Sequence, residues 1–247
     1  MMKVMGAYTP ICEEDAGYID QYLSEVERLD VPFALYLDRC SPKTKRKITG
    51  HRLCLGSVAN NDPGKEFSEK DRQGPFDLIA AAGLRWAVSW DMDETYEKAA
   101  PEKLAGYLAG SDAACLAVNV VTLWGDAEHI RTDIGGPQPK IYDVSKFTWK
   151  FLSGVTNGPR AVTPTPIHPR GWQYEDCLPL EQVPVVSIPV VCLHWGLITR
   201  ELRLFHKARW DRIYSNPGTG GGNPYQSWNM ALDEAGYPPV VERHHLL

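Results

Sequence analysis

The sequence predicts an α/β fold: a Rossmann-like, mostly parallel sheet flanked by helices, with a less regular C-terminal half. The first observation is a strand–helix–strand pattern, in which apolar segments at 3–8 and 33–37 flank a stretch at 13–29 with helical spacing of its apolar residues. A connection of this length implies a right-handed crossover between parallel strands. The second observation is that three later apolar segments have strand length, at 84–90, 113–123 and 185–193.

Composition is typical of a soluble globular protein of one domain. The 247 residues are 43% apolar and 23% charged, which is enough for a sizeable core. The net charge of -5 gives no overall basic field for nucleic acid, although residues 43–47 contain four cations. The six cysteines lack CxxC or framework spacing, so we expect reduced thiols and a cytoplasmic protein. The sequence contains neither a signal peptide nor a long apolar segment, so we expect neither secretion nor a membrane span.

The remaining segments are predicted from local patterns. Residues 39–71 are polar and are expected to be irregular, apart from a possible strand at 52–58. Antiparallel strands are expected at 130–134 and 140–144, on either side of a Gly-Gly-Pro turn. Beyond residue 124 the pattern resembles a variable, substrate-facing region. Helices are predicted at 67–83, 101–108 and 199–214.

Three acidic residues follow the strand predicted at 84–90. If that strand continued, Asp91 and Asp93 would point to one face of the sheet and Met92 to the other. Two carboxylates on one face repel each other unless a cation lies between them, and a divalent cation is the natural partner. A solvated acidic turn before the next helix is the alternative explanation of the same residues, Glu94 included.

Other polar residues are expected at the same edge of the sheet. Tyr8 and Asp38 end the first and second predicted strands, and ligands of parallel sheets bind where strands end. Arg72 begins a predicted helix and is well placed for a phosphate, although a surface arginine would look the same. His194 ends the strand at 185–193 and is either a ligand or a core histidine.

These features together resemble the GT-A glycosyltransferases, and more narrowly their family 2 type. Trp90-Asp91-Met92-Asp93-Glu94 is similar to the family's Asp-x-Asp-Glu motif at a strand end, and Arg72-Gln73-Gly74 resembles the element that precedes it. His194-Trp195-Gly196 is similar to the late His-x-Gly stretch. The resemblance covers about residues 3–214. It departs from the family at Tyr8-Thr9-Pro10, where Asn-Glu is usual, and at Lys43, where an acid is common.

The resemblance implies a single GT-A-like domain in which residues 1–123 bind a nucleotide sugar and 124–247 bind the acceptor. It implies a metal held by Asp91, Asp93 and His194, with Asp91 also available to the ribose. Oxygen ligands suit Mg²⁺ or Mn²⁺, and the imidazole favours Mn²⁺. The donor, a UDP-sugar by this resemblance, would contact Tyr8, Thr9, Asp38, Arg72, Asp91 and Met92, with Asp38 on the nucleobase.

The resemblance also implies a catalytic base well downstream of the Asp-x-Asp motif. Glu175 and Asp176 have the right order, and the aromatic residues just before them could stack on a sugar ring. Asp176 is the preferred candidate and Glu128 a reserve, whereas an exposed acidic turn would explain the same pair. The glycine-rich loop at 218–222 could close over the donor.

The predicted function is therefore a metal-dependent, inverting glycosyltransferase acting on an acceptor hydroxyl. The acceptor would be a glycan or a small molecule, with a hydroxymethylated DNA base as a minority possibility, since residues 43–47 and 200–212 are basic. A nucleotidyltransferase or metal phosphohydrolase also uses paired aspartates on an α/β sheet, and an inactive GT-A-like binding domain is the non-enzymatic alternative.

Overall fold

The computed structural model describes residues 4–60, 73–149, 159–161, 167–168, 178–179, 185–205, 208 and 240–247. The strands are β1 Met5–Cys12, β2 Phe33–Asp38, β3 Cys54–Asn60, β4 Trp86–Ser89, β5 Glu94–Tyr96, β6 Cys115–Trp124, β7 Asp126–Asp143, β8 Phe147–Trp149, β9 Pro159–Ala161, β10 Ile167–His168, β11 Leu178–Pro179, β12 Val185–His194 and β13 Val241–Arg243. The helices are α1 Ile19–Leu29, α2 Pro42–Thr49, α3 Gln73–Ala81 and α4 Ala100–Gly110, with a 3-10 helix at Glu13–Tyr18. A further helix begins at residue 200 and is described as far as 205.

One central sheet organises the described residues. Its strand order is β3-β2-β1-β4-β7-β6-β12-β5, with β13 paired to β7. Along this path only β7 and β5 run against the other strands, so the sheet is mostly parallel and the predicted α/β class is confirmed. The carboxyl ends of β1, β2, β4, β6 and β12 lie at one edge, called here the carboxyl edge. The small strands β8 with β9, and β10 with β11, form two separate pairs.

Helices cover both faces of this sheet. All six residues of β2 are buried, as is expected for a strand that is covered on both sides. Residues of α1 and α4 pack on one face, in a core cluster that includes Tyr22 and Trp90. On the other face α3 contributes Phe76 and Ile79, which pack with Tyr8. The strand–helix–strand prediction is confirmed, since β1 and β2 are parallel neighbours.

Three local predictions were wrong. Residues 42–49 form α2 instead of a loop, because Ser41 caps the helix by accepting from the Thr44 N–H at 3.2 Å and proline occupies the first turn. Strand β1 continues to Cys12, so Tyr8 is not its end. Residues 126–143 form one long strand that pairs with β6, and not two strands that pair with each other. Gly135 makes this possible: its φ is +105°, and a Cβ would collide with the Val120 carbonyl.

The described part of the chain contains no helix with the length and apolar character needed to cross a membrane.

Candidate functional site

Asp91 and Asp93 lie in a tight connection between two strands, and Glu94 is the first residue of the second strand. Strand β4 ends at Ser89, and residues 90–93, called here the acid turn, lead into β5. Because the strand does not continue through Asp93, the prediction that Asp91 and Asp93 point to one face of the sheet and Met92 to the other does not apply. Two hydrogen bonds close the turn instead: the Asp91 N–H donates to Glu94 Oε2 at 3.1 Å, and the Glu94 N–H donates to the Asp91 carbonyl at 3.2 Å. The acid turn is thus held by Glu94, the residue that follows it.

Asp93 and His194 meet at the carboxyl edge. Strand β12 pairs antiparallel with β5, with His194 opposite Glu94, and this register brings His194 Nε2 to 3.1 Å from Asp93 Oδ2. The Trp195 N–H donates to the Asp93 carbonyl at 2.8 Å, which fixes the backbone of the turn. The Asp93 side chain is only 12% exposed and that of His194 is 27% exposed, so the imidazole is the more accessible of the two. Burial alone would lower the pKa of His194, but the Asp93 carboxylate, together with Glu94, outweighs burial and raises that pKa.

Helix α1 anchors the far side of the turn. Glu25 is buried on this helix, and its Oε1 accepts from the Tyr96 N–H at 2.6 Å. Arg28 donates two hydrogen bonds to the same carboxylate and a third to the Tyr96 carbonyl at 2.9 Å. Glu25 and Arg28 therefore satisfy the backbone N–H and carbonyl of Tyr96, the last residue of β5. The Trp90 ring packs edge-to-face against Tyr22 and Tyr96, which closes the space between helix and turn.

Asp38 lies at the end of β2, as the sequence predicts, but it is buried in a small polar network. The Arg39 guanidinium donates to both of its oxygens, at 3.1 and 2.8 Å, and the Asn60 amide donates to Oδ1 at 2.9 Å. Arg39 has a φ of +54°, in the left-handed region that non-glycine residues rarely occupy. A ligand that bonds the Asp38 carboxylate must compete with this arginine.

Three residues predicted to contact the donor are buried in the core. Tyr8 packs edge-to-face against Phe76, and the Thr9 hydroxyl is hydrogen-bonded to the Tyr22 hydroxyl at 2.9 Å. Met92 belongs to the core cluster beneath the acid turn. Their role in donor binding stays a prediction that depends on the resemblance.

Several predicted residues lie outside the described part of the chain. They are Arg72, the candidate bases Glu175 and Asp176, and the glycine-rich loop at 218–222. Glu128, the reserve candidate, is exposed on β7 and pairs with Arg243 at 2.7 Å. The basic residues predicted as a loop at 43–47 lie on α2.

The donor set at the carboxyl edge fits a divalent cation when a substrate completes it. Within the described ranges, no group of three histidine, cysteine or acidic side chains is arranged to hold a metal ion. Asp93 and His194 nevertheless offer a carboxylate oxygen and an imidazole nitrogen side by side. Mg²⁺ in phosphate-transfer sites is typically bound by one or two carboxylates together with substrate phosphates, and an imidazole ligand suits Mn²⁺. Two protein ligands therefore suffice if a diphosphate supplies the others.

Sequence reasoning missed four residues around this site. Lys140 on β7 pairs with Glu94, and Glu25 and Arg28 hold β5. The fourth is Tyr18, whose hydroxyl is buried and has no hydrogen-bond partner among the described residues. Burial, followed by the negative charge of Asp93, raises the pKa of Tyr18 to about 12, so the phenol stays protonated. Glu25 carried a signal, because a charged residue lies on the apolar stripe of α1.

Comparisons with known proteins give matches among solved structures only. No family model and no curated protein matches the sequence. Among solved structures, residues 1–349 of S. aureus TarS are similar at 10% identity, over 93% of this chain and 69% of that chain, with a TM-score of 0.47. The same protein in complex with UDP-GlcNAc matches at 12% identity over 57% of this chain, with a TM-score of 0.43, and the match spans only 45% of that chain's length.

A putative glucose-1-phosphate thymidylyltransferase from Bacillus anthracis also matches, at 6% identity over 57% of this chain and 72% of that chain, with a TM-score of 0.40. At these values the likenesses carry no argument about function.

Proposed function

We propose that the chain is a metal-dependent, inverting glycosyltransferase that moves a sugar from a UDP-sugar to an acceptor hydroxyl. One observation carries the proposal: Asp93 and His194, which are distant in sequence, lie 3.1 Å apart and partly exposed beside the acid turn. In open α/β sheets ligands bind outside the carboxyl ends of the strands, which is where this pair lies.

The described residues divide the work of binding the donor. Asp93 and His194 would hold Mn²⁺ or Mg²⁺, which when bound supplies positive charge against the negative charge that develops on the leaving diphosphate. Asp91, fixed through its own backbone N–H by Glu94, would bond the ribose or share the metal. Asp38 would accept from the nucleobase once Arg39 has moved from its carboxylate. Inversion requires a base for the acceptor hydroxyl, and Asp176 or Glu175 is predicted to fill that role.

The cellular location is proposed from the thiols. Five cysteines lie in the described residues, and all five are free, which fits a reducing, cytoplasmic environment.

The test is nucleotide release from a panel of UDP-, GDP- and dTDP-sugars with Mn²⁺, together with the shift in melting temperature that each donor causes. We expect the UDP-sugars to give both signals and Asp93→Ala to lose them. Asp112→Ala is the matched control, because Asp112 is an exposed aspartate just before β6, at the opposite edge of the sheet.

A wild-type protein that turns over no donor, and that no donor stabilises, would overturn the proposal. Phosphate released from nucleotides without a sugar would favour the metal phosphohydrolase, and release of diphosphate during nucleotidyl transfer would favour the nucleotidyltransferase. Stabilisation by a donor without turnover would favour the inactive binding domain.

A further inference from the structure

Directly beside the acid turn, Lys140 and Glu94 form a buried ion pair. Lys140 is 6% exposed and Glu94 is 4% exposed. The Lys140 ammonium contacts both oxygens of the Glu94 carboxylate, with Oε2 at 2.6 Å, and its Nζ also lies 3.5 Å from the Ser89 carbonyl. Lysine and glutamate are among the residues least often buried, and removing two charges from water is costly. A pair in this position therefore calls for an explanation beyond stability.

Strand β7 sets the position of this lysine. It pairs antiparallel with β4, and Ile141 lies opposite Val88, so Lys140 comes one residue further, level with the end of β4. Because the Lys140 side chain is buried and its ammonium contacts Glu94 and the Ser89 carbonyl, the position of this positive charge is fixed. Burial alone would lower the pKa of Lys140, but the acidic groups around it, Glu94 first among them, together outweigh burial and raise that pKa.

Glu94 connects Lys140 to the acid turn. The Oε2 atom that contacts Lys140 also accepts from the Asp91 N–H at 3.1 Å. The Trp90 indole donates to the Glu94 carbonyl at 3.0 Å, so that both ends of Glu94 are attached to the turn. A continuous path of contacts thus runs from Lys140 through Glu94 to the backbone of Asp91.

The charges support the same interpretation. Asp91, Asp93 and Glu94 place three carboxylates within four residues, and three unpaired negative charges would spread the turn apart. Lys140 pairs with Glu94, whose carboxylate serves as a hydrogen-bond acceptor for the turn. Asp93 lies at the carboxyl edge, where it meets His194.

We propose that Lys140 is a positioning residue: through Glu94 it holds the acid turn in the geometry that binds the cation and the diphosphate of the donor. This inference rests on the proposed function. It differs from a purely structural role in what it predicts for ligand affinity, because a structural pair would change the stability of the fold without changing how the folded molecules bind.

The experiment compares wild type, Lys140→Met and the double variant Lys140→Met with Glu94→Gln. Isothermal titration measures the affinity for UDP with Mn²⁺, and urea unfolding measures stability. In Lys140→Met the buried carboxylate is left unpaired, so we expect UDP affinity to fall by at least about tenfold, as for the loss of a residue that orients metal ligands. In the double variant a neutral amide still accepts from Asp91 and needs no cation, so affinity should return to within about threefold of wild type.

Lys146→Met is the matched control. Lys146 lies three residues beyond β7, beside the start of β4 and so at the opposite end of β4 from the acid turn, and donates to the Asp112 carbonyl at 2.7 Å. Folded Lys140→Met that binds UDP as wild type does would overturn the inference, and so would a folded double variant that remains tenfold weaker. If Lys140→Met does not fold, Lys140→Gln takes its place, since its amide can still donate to Glu94 but leaves the carboxylate without a compensating charge; folded Lys140→Gln that binds UDP as wild type does would overturn the inference. Wild type that fails to bind UDP with Mn²⁺ would instead overturn the proposed function.

Discussion

His194 Nε2 lies 3.1 Å from Asp93 Oδ2, although the two residues are 101 positions apart. Antiparallel pairing of the three-residue strand β5 with the end of β12 creates this contact. A carboxylate and an imidazole that are adjacent and partly exposed at the ends of strands can act on one ligand together. Their effects on binding should therefore not be independent.

The first prediction is a double-mutant cycle on this pair. Asp93→Asn and His194→Gln should each weaken Mn²⁺-dependent UDP binding by about tenfold or more, because each replaces one of the two side chains proposed to coordinate the metal. The double variant should be little weaker than either single variant, since neither residue acts without the other. Calorimetric titration of UDP with and without Mn²⁺ measures this, with Asp112→Asn as the control. Two losses that simply add would show that the residues bind independently.

The second prediction concerns Arg39, which donates to both oxygens of Asp38. If Asp38 accepts from the nucleobase, Arg39→Ala should bind UDP about tenfold more tightly, because the base no longer has to displace a charge-assisted hydrogen bond. Asp38→Asn should weaken binding in both backgrounds. Weaker binding by Arg39→Ala would mean that the guanidinium itself contacts the nucleotide.

The third prediction concerns stability at the end of β5. Glu25→Ala leaves the Tyr96 N–H buried without an acceptor and Arg28 without its carboxylate, and should lower the free energy of unfolding by about 2–3 kcal/mol. Glu27→Ala on the same helix removes a half-exposed carboxylate that pairs with His51 and Arg52, and should cost less than about 1 kcal/mol. Urea unfolding measures both. Equal losses for the two variants would refute the role assigned to Glu25.

The sequence predicted that Asp93 and His194 lie at one edge of the sheet, but not the contact between them, which depends on the pairing of β12 with β5, a strand that the sequence did not predict. Asp93 and His194 each follow an apolar segment of strand length, and strands of one sheet bring their ends to a common edge. The side chains that hold the site in place were not predictable from strand order. Lys140 and Glu94 are 46 residues apart, and Glu25 and Tyr96 are 71 apart. Their contacts depend on the register of β7 and on how α1 packs over β5, which local patterns do not specify.

The last prediction concerns the pH dependence of thiol alkylation. Cys40 is 5% exposed, and its thiol donates to the Ile11 carbonyl at 3.3 Å. Burial, followed by the charge of Glu13, raises the pKa of the Cys40 thiol to about 12. The thiolate is the reactive form, so at pH 8 the folded protein should be alkylated at Cys40 about 10³-fold more slowly than the unfolded chain, whose cysteines have a pKa of about 8.5.

The raised pKa of Cys40 determines how its alkylation rate depends on pH. Because the pKa of Cys40 is raised, its alkylation in the folded protein should still increase about tenfold per pH unit at pH 9–10, whereas in urea the rate levels off above about pH 8.5. Iodoacetamide labelling followed by peptide mass spectrometry separates Cys40 from Cys54, which is half-buried and serves as the internal control. Rapid labelling of folded Cys40 at pH 8 would contradict its placement against β1.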